Sequence, residues 1–346
     1  MTGLALALRR NGGALAAVGV FLAFYLFYNA NHPRGFSAAV LIQNGNEVFA
    51  LAMVAMAQTL PVLTGGLDLS VGAVMTLVNC VASHALNGSP AQIGFGVALC
   101  LLTGALCGFV NGCVVVYGRI QPIIATLATG AIYMGLALFL RPSPGGRVDG
   151  DFSWAMTNDL YEMAATYGFA QGGEAAWFQP IAWIPTPVAL LILVPLLVWV
   201  PFSRSVTGRT VYAVGSAEGA AWMSGLAVDR AKLAAFTLGG FFAGVGGLYL
   251  ALQTSSGNAD IPQAGAYTLN SIAAVVVGGV SLLGGVGSAV GALFGALVLR
   301  TISFNFRIFE VDPLMQPLIE GLVLLAAVSL GALRVLRVRN TLELFR

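Results

Sequence analysis

The chain has 346 residues, 58% of them hydrophobic and 9% charged, with 16 basic residues against 14 acidic ones. A soluble domain carries about 25% charged residues, so this chain lacks the polar cover to face water. That excludes a cytosolic enzyme, a nucleic-acid binder and a disordered chain, and leaves a membrane protein whose net charge of +2 marks no polyanionic partner.

Charge-free intervals mark the expected crossings, since a crossing helix needs about 20 apolar residues. They run 11–33, 48–67, 69–118, 120–140, 175–203, 233–259 and 261–299, and a last apolar stretch at 313–333 is broken only by Glu320. The 11–33 stretch has no small-residue cleavage site after it and reads as a retained first span. Asn87-Gly88-Ser89-Pro90 supplies a turn that divides 69–118 into two helices. Gly284, Gly285 and Gly287 divide 261–299 in the same way. The expected fold is therefore all-α, a single polytopic membrane domain over 1–346 with about ten transmembrane helices.

Orientation follows from the basic residues of the connections. With the N-terminus inside, Arg9, Arg10, Arg119, Arg204, Arg209, Arg230, Lys232, Arg334, Arg337, Arg339 and Arg346 are cytoplasmic, eleven of the sixteen. Arg34, Arg141, Arg147, Arg300 and Arg307 then fall in external connections. Both termini are expected in the cytoplasm. Two connections are long: an external one at 142–183 with five acidic residues (Asp149, Asp151, Asp159, Glu162 and Glu174), and a cytoplasmic one at 201–232.

The residues needed for chemistry are missing. Lys232 is followed by Leu233, so there is no P-loop, and neither HExxH nor GxSxG occurs. Cys80, Cys100, Cys107 and Cys113 lie in apolar runs without a CxxC pair and read as small core residues. His32 and His84 are too far apart to mark a metal site. No cofactor or metal is expected, and the chain is not expected to be an enzyme. Ionisable groups that could serve a proton relay are few: Glu47, Asp68, His84 and Glu320. An energy source on a partner is favoured over an ion gradient.

Three stretches stand out. In GGLDLSVG (65–72), paired Gly65 and Gly66 permit a tight reversal, and Asp68 can cap the next helix through amides near Ser70. The same break can also gate a pathway. In the cytoplasmic connection, TGRTVYAVG (207–215) precedes a short helix at 217–224 with a small face of Ala217, Ala220, Ala221 and Ser224. Such a face admits another protein closely, with Trp222 and Met223 as anchors; the alternative is an interfacial helix lying on lipid headgroups. The glycines of 268–288 suit close helix packing or a discontinuous helix.

These stretches, with Gln121-Pro122-Ile123-Ile124-Ala125-Thr126-Leu127 and SIAAVVVGGVSLLGG at 271–285, occur in order over nearly the whole chain. In this the chain resembles the membrane-spanning permeases of ribose-type carbohydrate-uptake ABC importers of the bacterial inner membrane. The resemblance implies a pair of permeases, identical or paralogous, cytoplasmic ABC ATPase subunits or a fused tandem ATPase, and a periplasmic sugar-binding protein. It implies a monosaccharide or polyol cargo and contact with membrane lipid but no nucleic acid. It likens Glu218 to Gly225 to the coupling helix that docks on the ATPase, with Gly219 in place of the first Ala of that pattern; a separate departure is Thr268, where relatives commonly have an acidic residue before Leu. Coupling is expected to run through Thr207, Gly208, Arg209, Tyr212, Gly215, Glu218, Ala220, Ala221 and Gly225. A gate or helix break is expected at Gly65, Gly66, Asp68 and Ser70, and Asn111, Gln121, Thr126 and Asn270 are candidates for lining the pathway. Alternatives are a permease for branched-chain amino acids or nucleosides, an ion-coupled secondary transporter, and a structural scaffold.

Overall fold

The computed structural model describes residues 12–168 and 177–315, and beyond them 318, 319, 321, 322 and 325. Arg9, Arg10, Glu174, Glu320, Arg334, Arg337, Arg339, Arg346 and most of the expected span at 313–333 lie outside the described residues.

Every described regular element is helical. In a bilayer no water satisfies backbone amides and carbonyls, so apolar segments satisfy them internally as helices. Seven are long and apolar enough to cross a membrane: α1 (Gly12–Asn31), α2 (Ala38–Leu63), α4 (Pro90–Val116), α5 (Pro122–Leu140), α9 (Thr186–Arg204), α12 (Val228–Thr254) and α14 (Ala289–Ile308). Two shorter apolar helices are α3 (Val71–Ala85) and α13 (Ile261–Val277). Between α5 and α9 lie α6 (Gly150–Thr157), α7 (Leu160–Tyr167) and α8 (Gln179–Ala182); between α9 and α12 lie α10 (Val206–Ser216) and α11 (Glu218–Met223).

The breaks between helices have local causes. Ser89 and Gln92 form a reciprocal capping box at the start of α4, with Pro90 in its first turn and Gly88 at φ +109° before it. Ser288 Oγ accepts from the Gly291 amide to start α14 after the turn at 278–288, and Asp260 accepts from the Gln263 amide to start α13. In α9, Pro195 lacks the amide a regular turn needs, and a π turn runs from Pro195 to Trp199. One expectation is corrected here. Arg300, expected in an external connection because a charge ends the apolar interval, lies inside α14, eight residues before its end.

The helix α2 is the axis of the bundle. Every residue from Val48 to Leu63 is buried, beneath α9, α12, α13 and α14. At one end of α2, Arg307 of α14 holds Glu47 through both guanidinium nitrogens (2.9 and 2.5 Å), and Asn46 donates to the Thr157 carbonyl (2.8 Å). The 142–183 segment is sewn to that end: Gly145 and Gly257 exchange backbone hydrogen bonds, and Asp149 donates its amide to the Leu86 carbonyl. The other end of α2, about 24 Å along the helix from Glu47, carries the break at 64–70 and meets α10.

Helices α4 and α12 cross in close contact, backbone to backbone. A Cβ on Gly240 would lie 2.2 Å from the Gly104 carbonyl oxygen, and one on Gly108 would lie 2.2 Å from that of Phe236. Spacings of four residues, Gly104 to Gly108 and Gly240 to Gly244, put these glycines on facing stripes. The outward faces of α4 and α5, with Leu102, Leu106, Leu127 and Phe139 exposed, suit lipid. Gly240→Val should therefore cost about 1–3 kcal/mol by overpacking. Gly135→Ala, which meets only open space, should be neutral or stabilising. Thermal denaturation of the purified protein in detergent compares the two; equal Tm values would refute the close crossing.

Candidate functional site

The candidate site begins where α2 ends. The Leu63 turn is closed by the amides of Thr64 and Gly66, both bonded to the Pro61 carbonyl, and by the Gly65 amide bonded to that of Val62. Gly65 takes φ +81°, a left-handed conformation that a glycine adopts at low cost. Gly66 rests on the ring of Pro122, where an added Cβ would lie 3.1 Å from Cγ. The break in GGLDLSVG thus sits against the first turn of α5, where the Gln121-Pro122 stretch lies.

Asp68 is 2% exposed and organises a polar cluster. Its Oδ1 accepts from the Ser70 amide (2.8 Å) and the Ser70 hydroxyl (2.6 Å), and its Oδ2 accepts from Asn111 Nδ2 (3.3 Å). Asn111 Nδ2 also donates to Ser70 Oγ (2.7 Å). The Tyr133 hydroxyl shares its one proton between the Asn111 side-chain carbonyl (3.0 Å) and the Cys107 backbone carbonyl (2.9 Å). Thr126 Oγ1 accepts from the Leu69 amide (2.9 Å) and donates to the Pro122 carbonyl (2.8 Å). Asp68 bonds the amide before α3 and also ties that break to α4 and α5. Tyr133, absent from the sequence candidates, stands two turns after Thr126, a spacing that puts both on one face of α5.

The break is held from a third side. The Gly72 amide donates to Thr268 Oγ1 (3.2 Å), whose hydroxyl donates to the Ala264 carbonyl (3.0 Å). A Cβ on Gly72 would lie 2.0 Å from the Ala264 oxygen. Thr268 therefore both satisfies a buried amide and admits α3 against α13. Asn111 and Thr126 are fully buried in this cluster and present no surface to a cavity in this conformation. Gln121 is exposed and Asn270 half-buried.

The TGRTVYAVG motif packs on the same junction. Ser205 Oγ accepts from the Gly208 amide and starts α10, and Gly208 lies under Phe202, leaving no room for a side chain. At the far end of α10, a Cβ on Gly215 would stand 1.9 Å from the Leu63 oxygen and 2.4 Å from the Gly285 nitrogen. The Gly285 amide donates to the Leu63 carbonyl (3.0 Å), and the Tyr212 hydroxyl donates to the Gly287 carbonyl (2.8 Å). Gly284 and Gly285 take φ +89° and +70° to make this turn. Three separate stretches, 207–215, 63–66 and 284–287, meet here backbone to backbone.

Beyond Gly215 the chain turns at Ala217 into α11. Trp222 and Met223 are 73% and 77% exposed, and Ala220 is exposed as well. Ala221 is buried, so the small face expected at 217–224 is split: Ala220 points outward and Ala221 inward. Gly225, at φ +76°, closes the helix, with the Leu226 amide bonded to the Ala221 carbonyl. Lys232 Nζ reaches Glu218 Oε1 (2.6 Å) and tethers α11 to the first turns of α12. Thr207 is half-buried and Arg209 exposed. Beside α11 a hollow of about 520 Å³ is lined by Glu218, Gly219, Trp222, Leu226, Asp229 and Arg230.

The Asp68 cluster yields a direct test. Asn111→Ala removes the Oδ2 partner of Asp68 and one acceptor of Tyr133, leaving buried polar atoms unmatched, at a cost of about 1–3 kcal/mol. Asn111→Asp places a second carboxylate beside Asp68 and should cost more. Detergent thermal melts of both variants check this order.

Comparison with known proteins gives the context for this arrangement. Residues 45–328 match the family described as branched-chain amino acid transport system, permease component. The ribose import permease protein RbsC of Bacillus subtilis (strain 168) is 32% identical over 326 residues, covering 92% of this chain and 93% of that protein. RbsC of Escherichia coli (strain K12) is 34% identical over 300 residues, 86% of each chain. The fructose import permease protein FrcC of Rhizobium meliloti is 32% identical over 314 residues, covering 89% of this chain and 81% of that protein. No solved structure matches. A bundle of membrane-length helices, a match over most of the chain and full-length likeness to import permeases agree: the chain is a multi-pass membrane protein and belongs to this family of transport-system permease components.

Proposed function

We propose that this chain is the transmembrane pathway subunit of an ATP-driven importer for a monosaccharide or related polyol. The names of its relatives support the cargo class, and the observation that carries the mechanism is the junction of α10 with Leu63 and Gly285. On this reading α11 is the coupling helix. A cytoplasmic ABC ATPase, as separate subunits or a fused tandem, seats on Trp222, Met223 and Ala220 and in the hollow beside them. Exposed aromatic and sulfur side chains next to a concavity are the usual anchors of such contacts. The branched-chain amino acid description of the family is the second reading of the cargo.

The work of ATP hydrolysis then passes as a displacement of α11 and α10. Close backbone contacts leave no flexible side chain between α10 and the end of α2 to absorb it. The break at 64–70 carries it onward to α4, α5 and α13 through Asn111, Thr126 and Thr268. The cargo crosses between this chain and a second permease subunit, identical or paralogous. A periplasmic sugar-binding protein delivers it at the opposite end, where 142–183 is attached to α3 and α12. In the bacterial inner membrane this places α10 and α11 in the cytoplasm. With the 313–333 stretch as the last of ten spans, both termini are cytoplasmic too.

Reconstitution tests the reading. Proteoliposomes holding this chain, its ATPase and the sugar-loaded binding protein should import sugar only with ATP, and gradient-driven uptake without the ATPase would overturn the proposal. Trp222→Ala should weaken ATPase association by about 2 kcal/mol or more, roughly 30-fold. Gly215→Val should leave that association intact yet abolish sugar-stimulated ATP hydrolysis, because its side chain displaces α10 from Leu63. Sedimentation of the complex and ATPase assays separate the two defects.

A further inference from the structure

One charged group in the membrane-spanning part has no role in the junction described above. Arg300 lies in α14, eight residues or about 12 Å from Ile308 where the helix ends. It is half-buried, and its neighbours Leu299 and Thr301 are closed off at 4% and 1% exposure. Its guanidinium carbon sits 5.8 Å from the ring centre of Tyr267 on α13. Its Nε is buried without a hydrogen-bond partner, and among the described residues no carboxylate pairs with it. By contrast Arg307, two turns further on, is neutralised by Glu47.

A guanidinium cannot shed its proton to escape this setting, since it stays charged at any pH a protein meets. Facing hydrocarbon, such a group would be strongly disfavoured, so intramembrane arginines almost always face a bundle interior or a water-filled path. The ring of Tyr267 covers one side of the cation, and the side chain keeps part of its surface open while Leu299 and Thr301 beside it are sealed. Asn270 stands one turn from Tyr267 on the same helix, also half-buried.

We propose that the edge of α13 and α14 carrying Tyr267, Asn270 and Arg300 lines the water-filled pathway, and that Arg300 is a binding contact for oxygen-rich solutes in transit. This deepens the transport reading above and rests on it. The flat fork of the guanidinium donates to two adjacent oxygens at once, as a vicinal diol or a sugar carboxylate presents them. The same charge repels cationic solutes, so amino sugars are selected against at this point. Arg300 thereby supplies a selectivity step in the permease itself, additional to that of the binding protein.

The test reads water access and transport separately. In a chain with its four cysteines replaced, Arg300→Cys is assembled with the ATPase and binding protein in proteoliposomes and treated with a charged, water-soluble thiosulfonate. It should react at least about tenfold faster than Leu136→Cys on the lipid face, and saturating sugar should slow it. Asn270→Cys gives the same readout should the first variant fail to assemble. Labelling no faster than at position 136 overturns the proposal. In the native chain, Arg300→Gln should lower uptake at least about tenfold with ATPase association unchanged, Arg300→Lys should retain part of it, and Arg300→Gln should narrow the preference for neutral over amino sugars. Unchanged uptake and preference in Arg300→Gln overturn the contact. Failure of the parent complex to import any sugar with ATP would instead count against the transport reading, while the labelling rates still decide whether this edge meets water.

Discussion

The architecture depends on the carbonyl of Leu63. A helix end inside a membrane protein leaves carbonyls that must find donors without water. Here the Gly285 amide supplies one, and it can do so only because residues 284 and 285 turn with positive φ and Gly215 offers no side chain in between. That requirement brings α10, the turn after α13 and the end of the central helix to a single point. The glycines are there for contact, and their flexibility is spent in making it.

The second constraint is the burial of Asp68. A carboxyl group without an ion-pair partner among the described residues is tolerable only when its oxygens are bonded, and Ser70 and Asn111 bond both of them. Each donor comes with its own helix, so satisfying one carboxyl group positions α3, α4 and, through Tyr133, α5. The Leu63 contact and the cluster lie at opposite ends of the seven-residue break. A movement of α10 therefore has a short path to three helices, through contacts that are either backbone or fully bonded polar groups.

What the sequence discloses is set by how local the cause is. The turn at 87–90 is legible because Asn-Gly-Ser-Pro carries its signal in four consecutive residues, and the turn at 284–287 because its glycines cluster. The Gly72–Thr268 bond spans 196 residues and has no local signature. Reading charges as the ends of spans failed at Arg300, since a helix can carry a cation wherever its side chain escapes hydrocarbon. The split of Ala220 from Ala221 was hidden for another reason. In a helix of six residues the buried face is decided by what it packs on, and both alanines fit a small face equally well.

The distribution of stiffness along α10 and α11 has a mechanical meaning. α11 is held to the bundle by the one buried side chain of Ala221 and by an exposed ion pair, Glu218 to Lys232, and exposed pairs of this kind contribute roughly 0–1 kcal/mol. α10 is instead wedged between Phe202 at one end and Leu63 at the other, where no side chain separates the backbones. On the proposed coupling role, a partner gripping α11 tilts that helix at little cost. Once the tilt reaches Gly215 it meets contacts of about 3 Å that cannot be compressed, and the only remaining freedom is for the end of α2 to move with it. Compliance at the surface and rigidity at the junction together allow a docking motion to become a motion of the spans.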